Sequence, residues 1–286
     1  MEWIKNSIAE NFGGSTYKLA KPQHQFELGQ VPDQSGKNIE KLFILSISQE
    51  IVDGALKYIS DEFGPDAAKK VTWLNCDMSD WPTVTSCADK IVSQADRLDI
   101  LINNAGRGIM TYQLTDYGVD RHMAVNHFGH VVLTSHLMPL LKKTANDGNI
   151  VRIVALGSNA HRATPSDYKF SSLSELNRDL GPNGFVSTKM SQEDIHEPYP
   201  LAGYALSVGA EVFKKDQFQG CVSAMFAATK ADKSGEYICS PAIPEGGNQL
   251  AQSEELQENL VKLTTEVIKE KMYDQSVGKG CPLHFN

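Results

Sequence analysis

The segment Asn103-Asn104-Ala105-Gly106 carries residue types that could bind a flat ring. Short side chains and Gly106 would let the backbone lie close against a planar group such as adenosine, while the asparagine amides could brace neighbouring strands. An ordinary turn of the Asn-Gly type would explain the same four residues equally well. The tetrapeptide alone therefore leaves a ligand-binding turn and a purely structural turn both open.

The cysteines do not point to a metal site. They are widely scattered, with no C-x-x-C pair and no clustered histidines to complete a zinc site. The five positions are Cys76, Cys87, Cys221, Cys239 and Cys281. We expect free thiols and no bound metal.

Four apolar runs of strand length would position the polar segments. They are residues 42–47, 71–75, 98–103 and 150–156, each largely apolar on both faces. Helical spacing of apolar residues recurs between them, over residues 51–63, 84–95 and 131–141. Alternating strands and helices predict an α/β fold with a doubly wound parallel sheet. Because such sheets bind ligands beyond the carboxyl ends of their strands, sites are expected just after Ile47, Asn75, Asn103 and Leu156.

The rest of the chain divides into a leader and one domain. Residues 1–37 are polar and interrupted by glycine and proline, which predicts an irregular leader that covers a surface. Residues 38–286 would form a single domain. Apolar periodicity predicts a helix near 216–230 and a C-terminal helix over 252–272.

Charge and hydropathy exclude several classes of partner. With 27 basic and 35 acidic residues the net charge is −8, which offers no broad positive surface for nucleic acid or anionic lipid. No apolar run reaches the roughly 20 residues that span a bilayer, and the first residues lack the apolar core of a signal peptide. We expect a cytoplasmic protein.

Several segments together resemble the short-chain dehydrogenase/reductase family, because they occur in that family's order and spacing. Besides Asn103-Asn104-Ala105-Gly106 they are LNCDMSD (74–80), VNHFGH (125–130), RIVALGSNAH (152–161) and GFVST (184–188). Their local sequence is most similar to the retinol-dehydrogenase-like branch of filamentous fungi. The resemblance implies a Rossmann-like doubly wound sheet and a nicotinamide cofactor.

The resemblance also implies a role for individual residues. Asp77 would accept a hydrogen bond from the adenine amino group, since a carboxylate is an acceptor. The implied cofactor-binding residues are Asp77, Asn103, Ala105, Gly106, Val186 and Thr188. The implied catalytic residues are Ser158, which would hydrogen-bond the substrate oxygen, and Asn126, which would hold a water in a proton relay. A structural role for Asn126 remains the alternative.

Two units that the family needs have no counterpart in this sequence. After residues 31–37 the chain passes directly to the strand at 42–47, without the glycine-rich turn that binds pyrophosphate. The first βα unit is therefore expected to be lacking. The family's proton-transferring tyrosine has a lysine four residues later, on the same helix face. The tyrosines after Ser158 lack such a lysine, and these are Tyr168, Tyr199, Tyr204, Tyr237 and Tyr273. A later αβ unit is expected to be lacking between residues 183 and 184.

These features predict an NADP(H)-dependent oxidoreductase that acts on a carbonyl or alcohol of a hydrophobic small molecule, with weak or no activity in this chain. NADP is expected from the family branch, and NAD is not excluded, because Ser48 and Gln49 follow the strand at 42–47 without a basic residue. One alternative is a non-catalytic binding or interaction protein, and the other is a chain that barely folds. The resemblance also implies that the protein could form homo-oligomers, because members of the family usually associate with one another. Saturable binding without turnover would distinguish the first alternative from an enzyme.

Overall fold

The computed structural model describes residues 5–6, 9–10, 14–32, 40–107, 112–158, 161–162, 164–179 and 217–272. Strands and helices alternate through the central part of the chain, as the apolar pattern predicts. The strands are β1 (Leu42–Ser46), β2 (Val71–Asn75), β3 (Ile100–Asn103), β4 (Arg152–Ala155), β5 (Tyr237–Cys239) and β6 (Ile243–Glu245). The helices are α1 (Gln49–Phe63), α2 (Pro65–Ala68), α3 (Trp81–Gln94), α4 (Arg121–Met123), α5 (His130–Asn146), α6 (Leu173–Leu176), α7 (Gln217–Thr229) and α8 (Glu254–Lys271). A π-helical stretch, Ala124–Gly129, joins α4 to α5.

The central strands form two parallel pairs. Strand β1 pairs with β2 from Leu42 opposite Val71 to Ser46 opposite Asn75. Strand β3 pairs with β4 from Ile100 opposite Arg152 onward, and β5 with β6 form a short antiparallel pair. Within the described ranges no strand joins the two parallel pairs, so one continuous sheet is not formed there.

Side-chain caps explain where the main helices begin. Ser48, Asp80 and Ser253 each accept a hydrogen bond from the backbone N–H three residues later. The Asp120 side chain accepts hydrogen bonds from the backbone N–H groups of His122 and Met123 at the start of α4. Each such cap satisfies an N–H group that has no partner inside the helix, which fixes the helix start.

The main core lies where α3 packs against α5 and the π-helical stretch. Trp81 is fully buried, with its ring stacked on Tyr117 at 4.4 Å and on Phe128 at 5.3 Å between centroids. Gly129 passes so close to the loop after β2 that a Cβ there would lie 2.2 Å from the Met78 carbonyl oxygen. Only glycine permits this approach, which brings the amino end of α5 to the carboxyl ends of the strands.

The leader contributes to a second, smaller hydrophobic cluster. Ala9 and Ala20 are buried with Cys239 and Ile243, and the leader therefore does more than cover a surface. The four cysteines within the described ranges form no disulfide with one another. None of the described helices combines the length and apolar character that a membrane crossing requires.

Candidate functional site

A cavity of about 230 Å³ lies at the carboxyl ends of β3 and β4, against one face of α5. It occupies a position at which the sequence predicts a ligand, after Asn103 and beside Leu156. Its walls are partly apolar, from Val131, Met138 and Ile153, and partly polar. The polar lining comes from Asn103, Asn126, His127, His130, Thr134 and Ser135.

Asn103, the last residue of β3, is buried and incompletely hydrogen-bonded. Only 8 % of its surface is exposed, and its Nδ2 donates to Thr134 Oγ1 on α5 at 2.9 Å. Its Oδ1 is buried and has no hydrogen-bond partner in the described part of the chain. A buried amide oxygen without a partner is costly, so Asn103 adds a polar group with an unmet hydrogen bond behind the cavity wall.

Two histidines near the start of α5 line the same cavity. The Nε2 of His130 lies 2.6 Å from the Ala105 carbonyl oxygen, and the Nε2 of His127 lies 2.7 Å from Thr264 Oγ1 on α8. Burial lowers the pKa of His130. Burial, with a smaller contribution from His130, lowers the pKa of His127 to about 4. Both imidazoles are therefore neutral near pH 7.

These two histidines were not predicted from the sequence as site residues. The signal was available, because His127, His130 and Thr134 recur at helical spacing directly after Asn126. However, the family resemblance of the segment VNHFGH implies a role only for its asparagine. Burial of the two histidine rings depends on contacts with residues distant in sequence.

Asn126 connects the π-helical stretch to the turn after β3. Its Oδ1 accepts from the Arg107 N–H at 2.7 Å and its Nδ2 donates to the Arg107 carbonyl oxygen at 2.8 Å. A Cβ at Gly106 would lie 3.4 Å from Asn126 Oδ1, an ordinary van der Waals distance, so the turn lies directly against this side chain. Asn126 therefore positions the Asn-Asn-Ala-Gly turn, and its role in proton relay stays a prediction.

Ser158 follows β4 and lies two residues beyond the cavity wall at Leu156. Its carbonyl oxygen accepts from the His161 N–H at 3.2 Å and lies 2.7 Å from His161 Nδ1. Because a carbonyl only accepts, His161 Nδ1 carries the hydrogen, and its Nε2 accepts from the Asn248 N–H at 3.2 Å. The loop that carries Ser158 is thus fixed to the segment after β6.

The predicted cofactor residues are only partly brought together. Ala105 and Gly106 lie in the turn beside the cavity, whereas Asp77 lies after β2. The Asp77 Oδ1 accepts from the N–H and the hydroxyl of Ser79 at 2.8 and 2.6 Å, and its Oδ2 lies 3.7 Å from the Arg121 guanidinium. Val186 and Thr188 lie outside the described residues. The adenine-binding role of Asp77 stays a prediction.

The junction between β1 and α1 does not fit the pyrophosphate of a dinucleotide. Residues 46–50 contain no glycine, and Ser48 uses its side chain to accept from the Ile51 N–H. Glu50 places a negative charge in the first turn of α1, where a phosphate would need positive potential. This junction therefore lacks the glycine-rich turn that a nicotinamide dinucleotide requires.

Comparisons with known proteins agree with the fold and the motifs. The short chain dehydrogenase family model matches residues 39–171. A Neurospora crassa protein named as a mitochondrial oxidoreductase, bli-4, is 45% identical over 345 residues, which cover 99% of this chain and 83% of the relative. Retinol dehydrogenase 12 of Bos taurus is 40% identical over 85 residues, or 30% of this chain and 26% of that protein.

A solved structure of an uncharacterized protein from Mycobacterium paratuberculosis shares the fold. It superposes with a TM-score of 0.55 at 18% identity and covers 80% of this chain and 84% of its own. Together with the Neurospora relative, these matches show that the chain belongs to the short-chain dehydrogenase/reductase family of oxidoreductases.

Proposed function

We propose that the chemistry underlying this protein is NADP(H)-linked interconversion of a carbonyl and an alcohol on a hydrophobic small molecule, and that this chain performs it weakly or not at all. The observation that carries the proposal is the partly apolar cavity at the ends of β3 and β4, lined by Asn126 and by Leu156, which precedes Ser158 by two residues. Ser158 would hydrogen-bond the substrate oxygen, and Asn126 would support proton relay.

Weak activity follows from the residues that the chain lacks. No tyrosine after Ser158 has a lysine four residues later, and general acid/base catalysis typically contributes about 10²- to 10⁴-fold to a rate. The junction between β1 and α1 also offers no glycine for pyrophosphate. A chain without the proton donor and without the phosphate-binding turn should turn over at close to the uncatalysed rate.

Two observations support the proposal that a first βα unit and a later αβ unit are lacking. The alignment with the Neurospora relative extends over 345 residues, which exceeds the 286 residues of this chain by 59. At least that many positions of the alignment have no counterpart here. In addition, β1 and β3 each pair with one strand only among the described residues, as they would if a strand between them were absent.

The test is to restore those positions. Purified chain is assayed for oxidation of NADPH in the presence of a hydrophobic aldehyde or ketone, beside a chimera that carries the two Neurospora segments without counterpart here. We expect turnover in the chimera and almost none in the chain as it stands. Ser158→Ala in the chimera should abolish turnover, and replacing NADPH by NADH tests the cofactor preference. Robust NADPH-dependent reduction by the unmodified chain would contradict the proposal.

A non-catalytic binding protein is the second candidate. It is favoured by a partly apolar cavity lined by polar side chains such as Asn103 and Asn126, while the glycine-rich turn and the tyrosine and lysine pair that turnover needs are lacking from the sequence. Fluorescence of the half-buried Trp73 or the fully buried Trp81 offers a readout of binding. Saturable quenching by a ligand that is never consumed would support this role, and steady consumption would refute it.

Location and assembly stay predictions. The name of the Neurospora relative includes the mitochondrion, whereas the sequence of this chain favours the cytoplasm. A fluorescent fusion compared with a mitochondrial marker distinguishes the two. Light scattering of the purified protein tests whether it forms the expected homo-oligomer.

A further inference from the structure

Three metal-ligating side chains meet outside the cavity at the ends of β3 and β4. They are Glu10 of the leader, Cys239 at the end of β5 and Glu245 at the end of β6, and none of them lines that cavity. One ligand atom from each residue lies within 4.8 Å of the other two. The expectation of no bound metal rests on spacing in the sequence, which cannot reveal a set of ligands that only the fold brings together.

This Glu-Cys-Glu cluster is largely removed from solvent. Glu10 and Cys239 are only 4 % and 5 % exposed, and the Cys239 thiol is hydrogen-bonded to Glu10. Glutamate is almost never fully buried unless a cation or a metal ion compensates its charge. A buried carboxylate beside a buried thiol therefore requires positive charge close by.

Arg162 supplies only part of that positive charge. Its guanidinium lies 2.5 Å from Glu245 Oε2 and 3.6 Å from Glu10 Oε1, so one cation faces two carboxylates. Burial, and next the charge of Glu10, raise the pKa of Glu245, although Arg162 lowers it. The cluster thus has a negative potential. With the thiol ionised, it would carry three negative charges and one positive charge, a difference that a divalent cation neutralises.

We propose that Glu10, Cys239 and Glu245 bind a zinc ion that fastens the leader to the antiparallel pair of β5 and β6. A thiolate sulfur combined with carboxylate oxygens suits zinc, whereas magnesium and calcium prefer oxygen ligands alone. On binding, the S–H bond breaks, the sulfur electron pair forms the bond to zinc, and the proton passes to the buffer. Three protein ligands leave the fourth tetrahedral position to a water molecule.

Arg162 is placed to orient one of these ligands. A carboxylate has two oxygens, so Glu245 can bind zinc through Oε1 while its Oε2 accepts from Arg162. Ligating carboxylates are commonly held by such outer hydrogen bonds. Because Arg162 follows Ser158 by four residues, the zinc ion would also fix the loop after β4 to the leader. The site requires neither cofactor nor turnover and stands apart from the proposed function.

The experiment titrates the whole chain with zinc, in competition with a coloured chelator. The chain carries no histidine tag and is first dialysed against a chelator. We expect one zinc ion per chain. Cobalt in place of zinc should produce the near-ultraviolet absorption of a cobalt–thiolate bond. No binding at micromolar zinc, or binding of cobalt without that absorption, would overturn the inference.

Variants of the ligands identify the site. Cys239→Ser and Glu10→Gln should each weaken zinc binding by about 100-fold or more, since losing even an outer partner of a ligand costs about 10- to 100-fold. Cys221→Ser is the matched control for the thiol, because Cys221 lies on α7 and outside the cluster. Glu236→Gln is the control for the carboxylate, because Glu236 precedes β5 and pairs with Lys233 at 3.8 Å. Both controls should bind zinc as the unmodified chain does, and equal affinity in Cys239→Ser would refute the site.

A measurement on the unmodified chain decides if a ligand variant does not fold. Zinc should slow alkylation of Cys239 much more than alkylation of Cys221, because the thiolate bound to zinc is withheld from the reagent. Mass spectrometry of the digested protein measures both rates with and without zinc. An equal effect of zinc on the two cysteines, or none on Cys239, would overturn the inference.

Discussion

Acidification should destabilise this protein, because the half-buried His127 is held in its neutral form. Burial lowers the pKa of His127 to about 4, compared with 6.5 for a free imidazole. In the unfolded chain the ring takes up a proton as the pH falls through about 6.5, whereas in the folded chain it resists until about pH 4. The contribution to stability is therefore fully present above about pH 6.5 and is lost progressively below it.

The expected loss follows from the size of that shift. A difference of about 2.5 pKa units corresponds to about 3 kcal/mol, since one unit is about 1.4 kcal/mol. Between about pH 7 and pH 5 roughly 2 kcal/mol of this should be lost. His130 adds to the effect in the same direction, because burial lowers its pKa as well. Against a typical stability of about 5–15 kcal/mol, the change is large enough to measure.

Urea unfolding at several pH values, followed by the fluorescence of buried Trp81, measures this dependence. In His127→Gln the free energy of unfolding should fall about 2 kcal/mol less between about pH 7 and pH 5 than in the unmodified chain. Thr264→Val is the matched control, because it removes the hydroxyl 2.7 Å from His127 and keeps the imidazole. It should lower stability at every pH without changing the slope. Equal slopes for His127→Gln and the unmodified chain would refute the reasoning.

Two further predictions test the positioning of α4 and α5 by urea unfolding. Gly129→Ala would place a Cβ 2.2 Å from the Met78 carbonyl oxygen and should cost about 3 kcal/mol, whereas Gly54→Ala in α1 meets nothing within 4 Å and should gain about 0.5 to 1 kcal/mol. A loss for Gly129→Ala no larger than a few tenths of a kcal/mol would contradict this close approach. Asp120→Ala removes the acceptor for the His122 and Met123 N–H groups, at 3.0 and 3.3 Å, and should cost about 1 kcal/mol. Asp120→Asn retains an N-cap side chain and should cost less, so an equal loss in both variants would show that capping is not the cause.

The helices could be predicted from the sequence because their apolar periodicity and caps are local. The spacing over 84–95 and the capping residue Asp80 correspond to α3, and the periodicity over 252–272 corresponds to α8. The four strand predictions also correspond to strands in the structure. These features depend on residues within a few positions of each other, which is the range that a single sequence reveals.

The location of the polar cavity could be predicted from the sequence, but the hydrogen bonds of its lining residues could not. The expectation of a site after Asn103 follows from strand order alone. Which atoms are left without partners depends on contacts such as Asn103 with Thr134 and His130 with Ala105, across 31 and 25 residues of sequence. The contribution of Ala9 and Ala20 to the second cluster was missed for the same reason, since their partner Ile243 is distant in sequence.

Apolar residues of the central strands β3 and β4 are exposed, and the units that we propose are lacking would explain this exposure. Strands of a parallel sheet are normally covered on both faces, which is why their sequences are apolar throughout. Here Ile100, Ile102 and Ile153 remain 41 %, 41 % and 44 % exposed, although each lies within β3 or β4. Such exposure is costly at about 25 cal/mol for each Å² of apolar surface, and a segment covering these residues, such as the units that we propose are lacking, would remove that cost. Ile153 also forms part of the cavity wall, and an apolar ligand bound there would bury surface that such a segment would otherwise cover.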